Sequence, residues 1–293
     1  MKVLVTGGTG YLGSNLVKAL LREGHDVIVL KRSFSDPRRL SDVLDAIVTY
    51  DLDRCEITEP FQKQGNLDAV IHTATCYGRK REMCSDIFQA NALFPLQLLE
   101  SAIMFKVPAF LNTDTSLPRE LNYYSLSKKQ FADWGKFYAS QGCIRFMNLQ
   151  VEHFYGPGDD ESKFSTHVIK SCLENLPELK LTKGEQRRDF IYIDDVVEAF
   201  LMLMKMPDRH PEFVDCSVGS GKSVTIREFV EKVARLTGTT TLLSFGAIPY
   251  RENEVMKSKA DLSSISCLGW KAKVSLDNGL RKTIESDRQR PER

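Results

Sequence analysis

Short apolar runs recur along the chain at 2–6, 26–30, 46–50, 68–73, 107–112 and 144–152, and the segments between them, 85–104 and 123–140 most clearly, repeat their apolar positions at helical spacing. Strands of this length alternating with helices predict an α/β fold: a doubly wound, Rossmann-type parallel sheet with helices on both faces. After Gly156-Pro157-Gly158 the pattern changes. Residues 159–187 are more polar, 190–193 read as one more short strand and 194–206 as a helix. From 222 onward the spacing predicts a helix at 225–237, a strand near 241–245 and a last helix near 275–286. The expected organisation is a sheet domain of residues 1–156 with about 190–206. A smaller, interleaved C-terminal lobe of residues 157–189 and 207–286 accompanies it, and the charged end, 287–293, reads as a disordered tail.

The turn after the first strand carries the first chemistry. Val3-Leu4-Val5-Thr6 runs into Gly7-Gly8-Thr9-Gly10-Tyr11-Leu12-Gly13, and Leu12, Leu16, Val17, Leu20 and Leu21 follow on one helix face. Gly7 suits a tight turn, Gly10 lets backbone approach a pyrophosphate, and Gly13 allows close packing of helix on strand. A dinucleotide would sit on the amides of Gly10, Tyr11, Leu12 and Gly13, where unpaired N–H groups and the helix dipole favour negative charge.

Composition narrows the class. The 40 basic and 39 acidic residues nearly balance, so no polyanion-binding surface is advertised and nucleic acid is not an expected partner. No run reaches the roughly 18 apolar residues of a membrane span, and no signal peptide precedes the first strand, so a cytoplasmic protein is expected. Seven scattered cysteines without a C-x-x-C pair read as reduced thiols, with no metal site.

The coenzyme is read from the end of the second strand, where an acidic residue would take the ribose of NAD and cations the extra phosphate of NADP. Here Lys31-Arg32-Ser33 stand there. Two cations and a hydroxyl suit a phosphate, so NADP(H) is preferred and NAD(H) is second. Asp51-Leu52, past the third strand, would border the adenine.

The second site signal is Tyr124-Ser125-Leu126-Ser127-Lys128. A separation of four residues places phenol and amine one turn apart on one helix face. The expectation is that the ammonium stabilises the phenolate and lowers the tyrosine pKa, making it a general acid or base toward a carbonyl oxygen. A hydroxyl to steady that oxygen should come from the preceding strand, where Thr113 or Thr115 qualifies.

With these residues in order, the chain resembles the extended short-chain dehydrogenase/reductase family, which holds nucleotide-sugar epimerases, dehydratases and reductases. The resemblance runs nearly the whole length: the glycine turn, Asp51-Leu52, His72-Thr73-Ala74, Asn91, Tyr124 with Lys128, Tyr155-Gly156-Pro157-Gly158 and Arg188-Asp189-Phe190-Ile191-Tyr192-Ile193-Asp194-Asp195. It implies Tyr124 as proton donor, Lys128 also on the nicotinamide ribose, and Thr73, Ala74, Thr75 and Asn91 lining the coenzyme. It implies Arg188 and Arg251 as the grip on the diphosphate of a sugar nucleotide. The resemblance implies a homodimer, with 85–104 and 123–140 either pairing into its interface or turning their apolar faces to the sheet.

Within the family, dehydratases carry Thr-Asp-Glu where this chain reads Thr113-Asp114-Thr115, so dehydration is disfavoured. Local likenesses at Cys76-Tyr77-Gly78-Arg79, Glu152-His153-Phe154-Tyr155 and Arg251-Glu252-Asn253-Glu254 resemble nucleotide-sugar 4-ketoreductases of the CDP-paratose and CDP-abequose synthase kind. The function this implies is NADPH-dependent reduction of the C4 ketone of a CDP- or dTDP-linked 4-keto deoxy sugar, with Arg79 and His153 near the substrate. The alternatives are a sugar-nucleotide 4-epimerase with bound NAD and, behind it, a 4,6-dehydratase or a non-catalytic NADP(H) sensor.

Overall fold

Val3, Leu4 and Val5 have no solvent exposure, as a strand covered on both faces requires. The structure, a computed structural model, describes residues 1–206 and 212–289. The chain opens with β1 (Lys2–Thr6), α1 (Tyr11–Arg22), β2 (Asp26–Lys31), β3 (Ile47–Asp51), α2 (Glu59–Gln64) and β4 (Ala69–His72). It continues with α3 (Cys84–Phe88), α4 (Phe94–Met104), β5 (Ala109–Thr115), α5 (Tyr123–Ser140) and β6 (Arg145–Val151). Next come β7 (His153–Tyr155), α6 (Phe164–Leu173), β8 (Glu178–Leu181), β9 (Arg187–Tyr192), α7 (Ile193–Met204) and β10 (Phe213–Val218). The last elements are β11 (Ser223–Thr225), α8 (Ile226–Thr237), β12 (Leu242–Phe245), α9 (Ser263–Cys267) and α10 (Leu276–Gln289).

The first compact unit comprises Met1–Gln150 and Val197–Cys216. Its sheet has the order β3-β2-β1-β4-β5-β6-β10, the Rossmann order with one strand added. β1 pairs in parallel with β2 and β4, and β4 with β5, so the order reverses beside β1. One face is sealed by Leu4, Ile28, Val70, Phe110, Phe131 and Phe146. On neighbouring strands Phe110, Phe146 and Phe213 stack nearly coplanar, with centroids 5.5 and 6.4 Å apart. Gly135 of α5 rests on this ladder: a Cβ there would lie 2.1 Å from the Phe146 ring.

The second unit, Val151–Val196 and Ser217–Arg293, is built on β9, flanked by β7 in parallel and β11 antiparallel, with β8 paired to β12. Its core centres on Phe229, which stacks on Phe190 at 4.2 Å and also meets Phe164 and Tyr155.

Several boundaries differ from the sequence reading. Residues 190–196 belong to the second unit and 212–216 to the first, where β10 extends the sheet. Helix α6 lies in the stretch read as merely polar, because its buried face carries Ser165, Thr166 and Ser171 beside Val168 and Ile169 and so dilutes the apolar signal. The single helix expected at 85–104 is interrupted by a wide π turn over Gln89–Leu93. Pro95 has no N–H to close a regular turn onto residue 91. Residues 287–289 continue α10, whereas 207–211 and the rest of the expected tail, 290–293, lie outside the described residues. Among the described residues no helix is long and apolar enough to cross a membrane.

The Gly135 contact has a measurable consequence. Gly135→Ala forces a methyl into a ring held on both sides, and stability in denaturant unfolding is expected to fall by about 1–3 kcal/mol. An unchanged midpoint would show that α5 is not seated on Phe146.

Candidate active site

The turn between β1 and α1 is pressed against the chain leaving β4, where the strand order reverses and this architecture opens a ligand crevice. Gly7 has φ +69°, and a Cβ on it would come 2.6 Å from the Ala74 nitrogen. One on Gly13 would come 2.2 Å from the Gly7 carbonyl oxygen and 2.8 Å from Thr73 Oγ1. Gly10 caps α1 with no side-chain hydrogen bond, and no acidic residue stands in the first turn, so this helix start presents its dipole to an anion without a carboxylate of its own in the way. That cradle fits a pyrophosphate. Thr73 Oγ1 donates to the Thr6 carbonyl at 2.8 Å, and Thr6 Oγ1 meets His72 Nδ1 at 2.8 Å, so both side chains tie β4 to β1. Burial first, then the charge of Lys128, holds His72 well below the usual imidazole range and therefore neutral.

At the adenosine end the structure adds partners the sequence reading lacked. The Lys31 ammonium is paired with the Asp51 carboxylate. Ser33 donates through its N–H, at 2.7 Å, and its hydroxyl to Asp53. Lys31 and Ser33 thus already hold carboxylates. Arg32 is exposed, its guanidinium 4.6 Å from the centre of the Phe34 ring, with no carboxylate partner among the described residues. Leu52 donates its N–H to the Lys31 carbonyl at 2.8 Å. Asp53 was legible in principle: parallel register sets Lys31 beside Asp51, so the residues that follow each strand must also meet.

The start of α5 carries the reactive pair. Asn122 caps the helix by accepting from Ser125 N–H at 2.9 Å, which fixes Tyr124 in the first turn and Lys128 one turn later. At the end of β5 the Thr115 hydroxyl stands beside the Tyr124 phenol, close enough to pull its pKa down, and accepts from Leu117 N–H at 3.2 Å. Thr113 Oγ1 is buried without a hydrogen-bond partner among the described residues. Lys128 is 1% exposed, and no hydrogen bond or ion pair among the described residues reaches its ammonium. Burial pulls its pKa down to about 8; Asp114 opposes the fall and Lys129 adds to it. The Tyr77 ring packs on Tyr124 with centroids 5.1 Å apart, and the Arg79 guanidinium lies 4.6 Å above Tyr77.

One expectation is overturned. The Tyr124 phenol is not made acidic in this setting: burial pushes its pKa up, with Tyr77 and Asp114 in the same direction. The Thr115 hydrogen bond and Arg79 pull it back, and Lys128 is not among the groups that move it. Desolvation of a phenolate outweighs these dipoles and charges.

Asn91 is also reassigned. Its Oδ1 accepts from Cys76 N–H at 2.8 Å and Thr75 Oγ1 at 3.2 Å, and its Nδ2 donates to the Cys76 carbonyl and Ser127 Oγ. Both donors and both acceptor positions are used, so no group remains for a coenzyme. Asn91 instead joins the loop after β4 to α5, where Ser127 Oγ donates to the Tyr124 carbonyl. Thr75 serves the same joint.

In the second unit, Arg188 is 8% exposed and pairs with Glu254 at 2.5 Å. Arg251 is exposed on the same turn, where Glu254 N–H closes onto the Arg251 carbonyl. His153 Nδ1 lies 3.4 Å from the buried Glu152 carboxylate, which accepts from Ser258 Oγ. Asp189 is anchored by Ser220, Gly221 and Ala260 amides, so it shapes this cluster and is not offered to a ligand. The pairing of Glu254 with Arg188 escaped the sequence reading, in which Glu254 stood only as the end of the Arg251-Glu252-Asn253-Glu254 likeness. All seven cysteines are free, and no metal-ligating cluster occurs among the described residues.

Comparison with known proteins agrees with this layout. The model of the NAD dependent epimerase/dehydratase family matches residues 3–219. CDP-abequose synthases from Salmonella muenchen and Salmonella typhimurium are each 33% identical to the chain, over 290 and 292 residues, with 97% of both sequences covered. The solved structure of MoeE5 in complex with UDP-glucuronic acid and NAD matches with a TM-score of 0.86 at 25% identity and covers 99% of each chain. The chain therefore belongs to the NAD dependent epimerase/dehydratase family, the extended short-chain dehydrogenase/reductases, and is an NAD(P)-dependent oxidoreductase.

Proposed function

We propose that the protein reduces the C4 ketone of a nucleotide-diphosphate 4-keto deoxy sugar with NADPH, the CDP-linked sugar first among the candidates. The observation that carries this reading is the corner where Thr115 stands beside the Tyr124 phenol, with a Thr113 hydroxyl and a buried Lys128 that have no hydrogen-bond partner among the described residues. The likeness to CDP-abequose synthases and the absence of a glutamate after Thr113-Asp114 support reduction over dehydration. Homodimer formation and a cytoplasmic site of action belong to the same proposal.

Reduced nicotinamide, when bound on the glycine turn, supplies the hydride to the ketone carbon. Tyr124 keeps its proton at neutral pH and donates it to the carbonyl oxygen as the hydride arrives, leaving a secondary alcohol. Thr115 donates to the phenolate left behind, Lys128 provides the positive charge nearby, and Thr113 holds the substrate oxygen. Arg188 and Arg251 would receive the diphosphate, Arg188 by exchanging Glu254 for phosphate oxygens. His153 and Arg79 would border the sugar.

One observation favours the alternative of a 4-epimerase with NAD. Lys31 and Ser33 are held by Asp51 and Asp53, an arrangement that suits a ribose without the extra phosphate. NAD retained through purification would support it.

Four outcomes test the proposal. NADPH oxidation is expected with CDP- or dTDP-linked 4-keto sugars, and Tyr124→Phe should lower kcat at least about a hundredfold while NADPH binding stays near the parent value. An active Phe variant contradicts the assignment. Arg32→Ala should weaken NADPH roughly tenfold or more, measured by fluorescence titration, with NADH little changed; equal losses count against the phosphate role. The pH profile of kcat/KM should fall on its basic side near pH 8, where the ammonium of Lys128 loses its proton. A flat profile through pH 9 would remove Lys128 from the mechanism.

A further inference from the structure

Thr113 and Thr115 share one side of β5, and Asp114 between them takes the other. The Asp114 side chain has no solvent exposure. Its Oδ1 accepts from Thr115 N–H at 2.7 Å, and its Oδ2 from Lys129 Nζ at 2.8 Å and Asn148 Nδ2 at 3.0 Å. Lys129 Nζ also donates to the Thr115 carbonyl at 2.7 Å. Behind Asn148 the network continues to Asn112, on its Oδ1 at 2.8 Å, and to Asp215, which Gln150 also reaches. Two lysines adjacent on α5 therefore point to different places. Lys129 grips the strand end that carries Thr115, and Lys128 faces the corner with no partner.

We propose that Lys129 is a positioning residue of this site: by holding the Asp114 carboxylate and the Thr115 carbonyl from the catalytic helix, it keeps Thr115 on the Tyr124 phenol and leaves the Lys128 ammonium available to ligand. The inference rests on the role given above to Tyr124, Thr115 and Lys128. A carboxylate buried this deeply takes the nearest cation. With Lys129 in place that cation is not Lys128.

The titratable groups around Lys128 are Asp114 from β5, Lys129 from its own helix and His72 from β4, which is neutral. Around Tyr124 stand Asp114, and Tyr77 with Arg79 from the loop after β4. Removing Lys129 takes away a cation that repels the Lys128 ammonium and releases an anion that attracts it. Both effects favour the protonated amine, so its titration moves upward.

NMR titration of the full chain with 13C-labelled lysine side chains, the Lys128 signal identified by its loss in Lys128→Arg, reads this without substrate or coenzyme. The parent signal is expected to titrate near 8 and that of Lys129→Met higher by about one unit or more. Lys129→Arg, which keeps Asp114 paired, should restore the parent midpoint. Asp114→Asn should move it below the parent value, and this arm decides the matter where Lys129→Met does not fold. In turnover with a 4-keto sugar, Lys129→Met should lose roughly tenfold to a hundredfold in kcat with KM unchanged. Midpoints unmoved in folded Lys129→Met and Asp114→Asn overturn the proposal. A protein that reduces no keto sugar yet shows these shifts refutes the reductase reading and leaves the positioning role standing.

Discussion

The most demanding feature of the molecule is a primary amine, Lys128, enclosed to 1% exposure with no counter-ion on its nitrogen among the described residues. A depression from 10.5 to about 8 corresponds to roughly 3 kcal/mol against the charged form. The sign is that of a buried cation. The cost is full below pH 8, shrinks as the folded protein loses the proton, and is gone above the unfolded value near 10.5. A chain tolerates such a group when surrounding packing over-determines it. Here the capped start of α5, Gly135 on the Phe146 ring and the Asn91 joint to the loop after β4 all hold that helix in place.

The same enclosure explains why the tyrosine one turn earlier behaves contrary to simple expectation. Spacing alone says that ammonium and phenol share a face, and the natural conclusion is an acidified phenol. Burial acts on both groups and raises one while lowering the other, so each is pushed toward its neutral form. A neutral phenol beside a weakened ammonium is suited to giving up a proton when negative charge arrives on a neighbouring oxygen, with Thr115 ready to stabilise what remains.

Much of the fold was legible because most strands of its sheet, with the edge strand β3 as the exception, are buried and its helices lie on the sheet. Continuous apolar runs located β1 to β6 within a few residues, and the glycine spacing placed the ligand crevice beside β1 and β4. Illegible parts share a cause, which is polar atoms satisfied inside the protein. Ser165, Thr166 and Ser171 disguised α6, and the fully engaged amide of Asn91 looked like a coenzyme ligand. The pairings Lys31 with Asp51, Ser33 with Asp53 and Arg188 with Glu254 bring together residues from 20 to 66 positions apart. No window along a sequence reveals them. Motif residues were found, but Asp114 and Tyr77 entered only as members of local likenesses, and Lys129, which holds Asp114 in the structure, did not enter at all.

The account comes down to net delivery of a hydride at the corner formed by Tyr124, Thr115 and Lys128. The most direct measurement is turnover of a CDP-linked 4-keto sugar with NADPH deuterated at nicotinamide C4, followed by NMR of the sugar ring. The account requires one deuterium at C4 of a product alcohol and one NADPH consumed for each sugar. A sugar inverted at C4, free of deuterium and formed without loss of coenzyme, would contradict it.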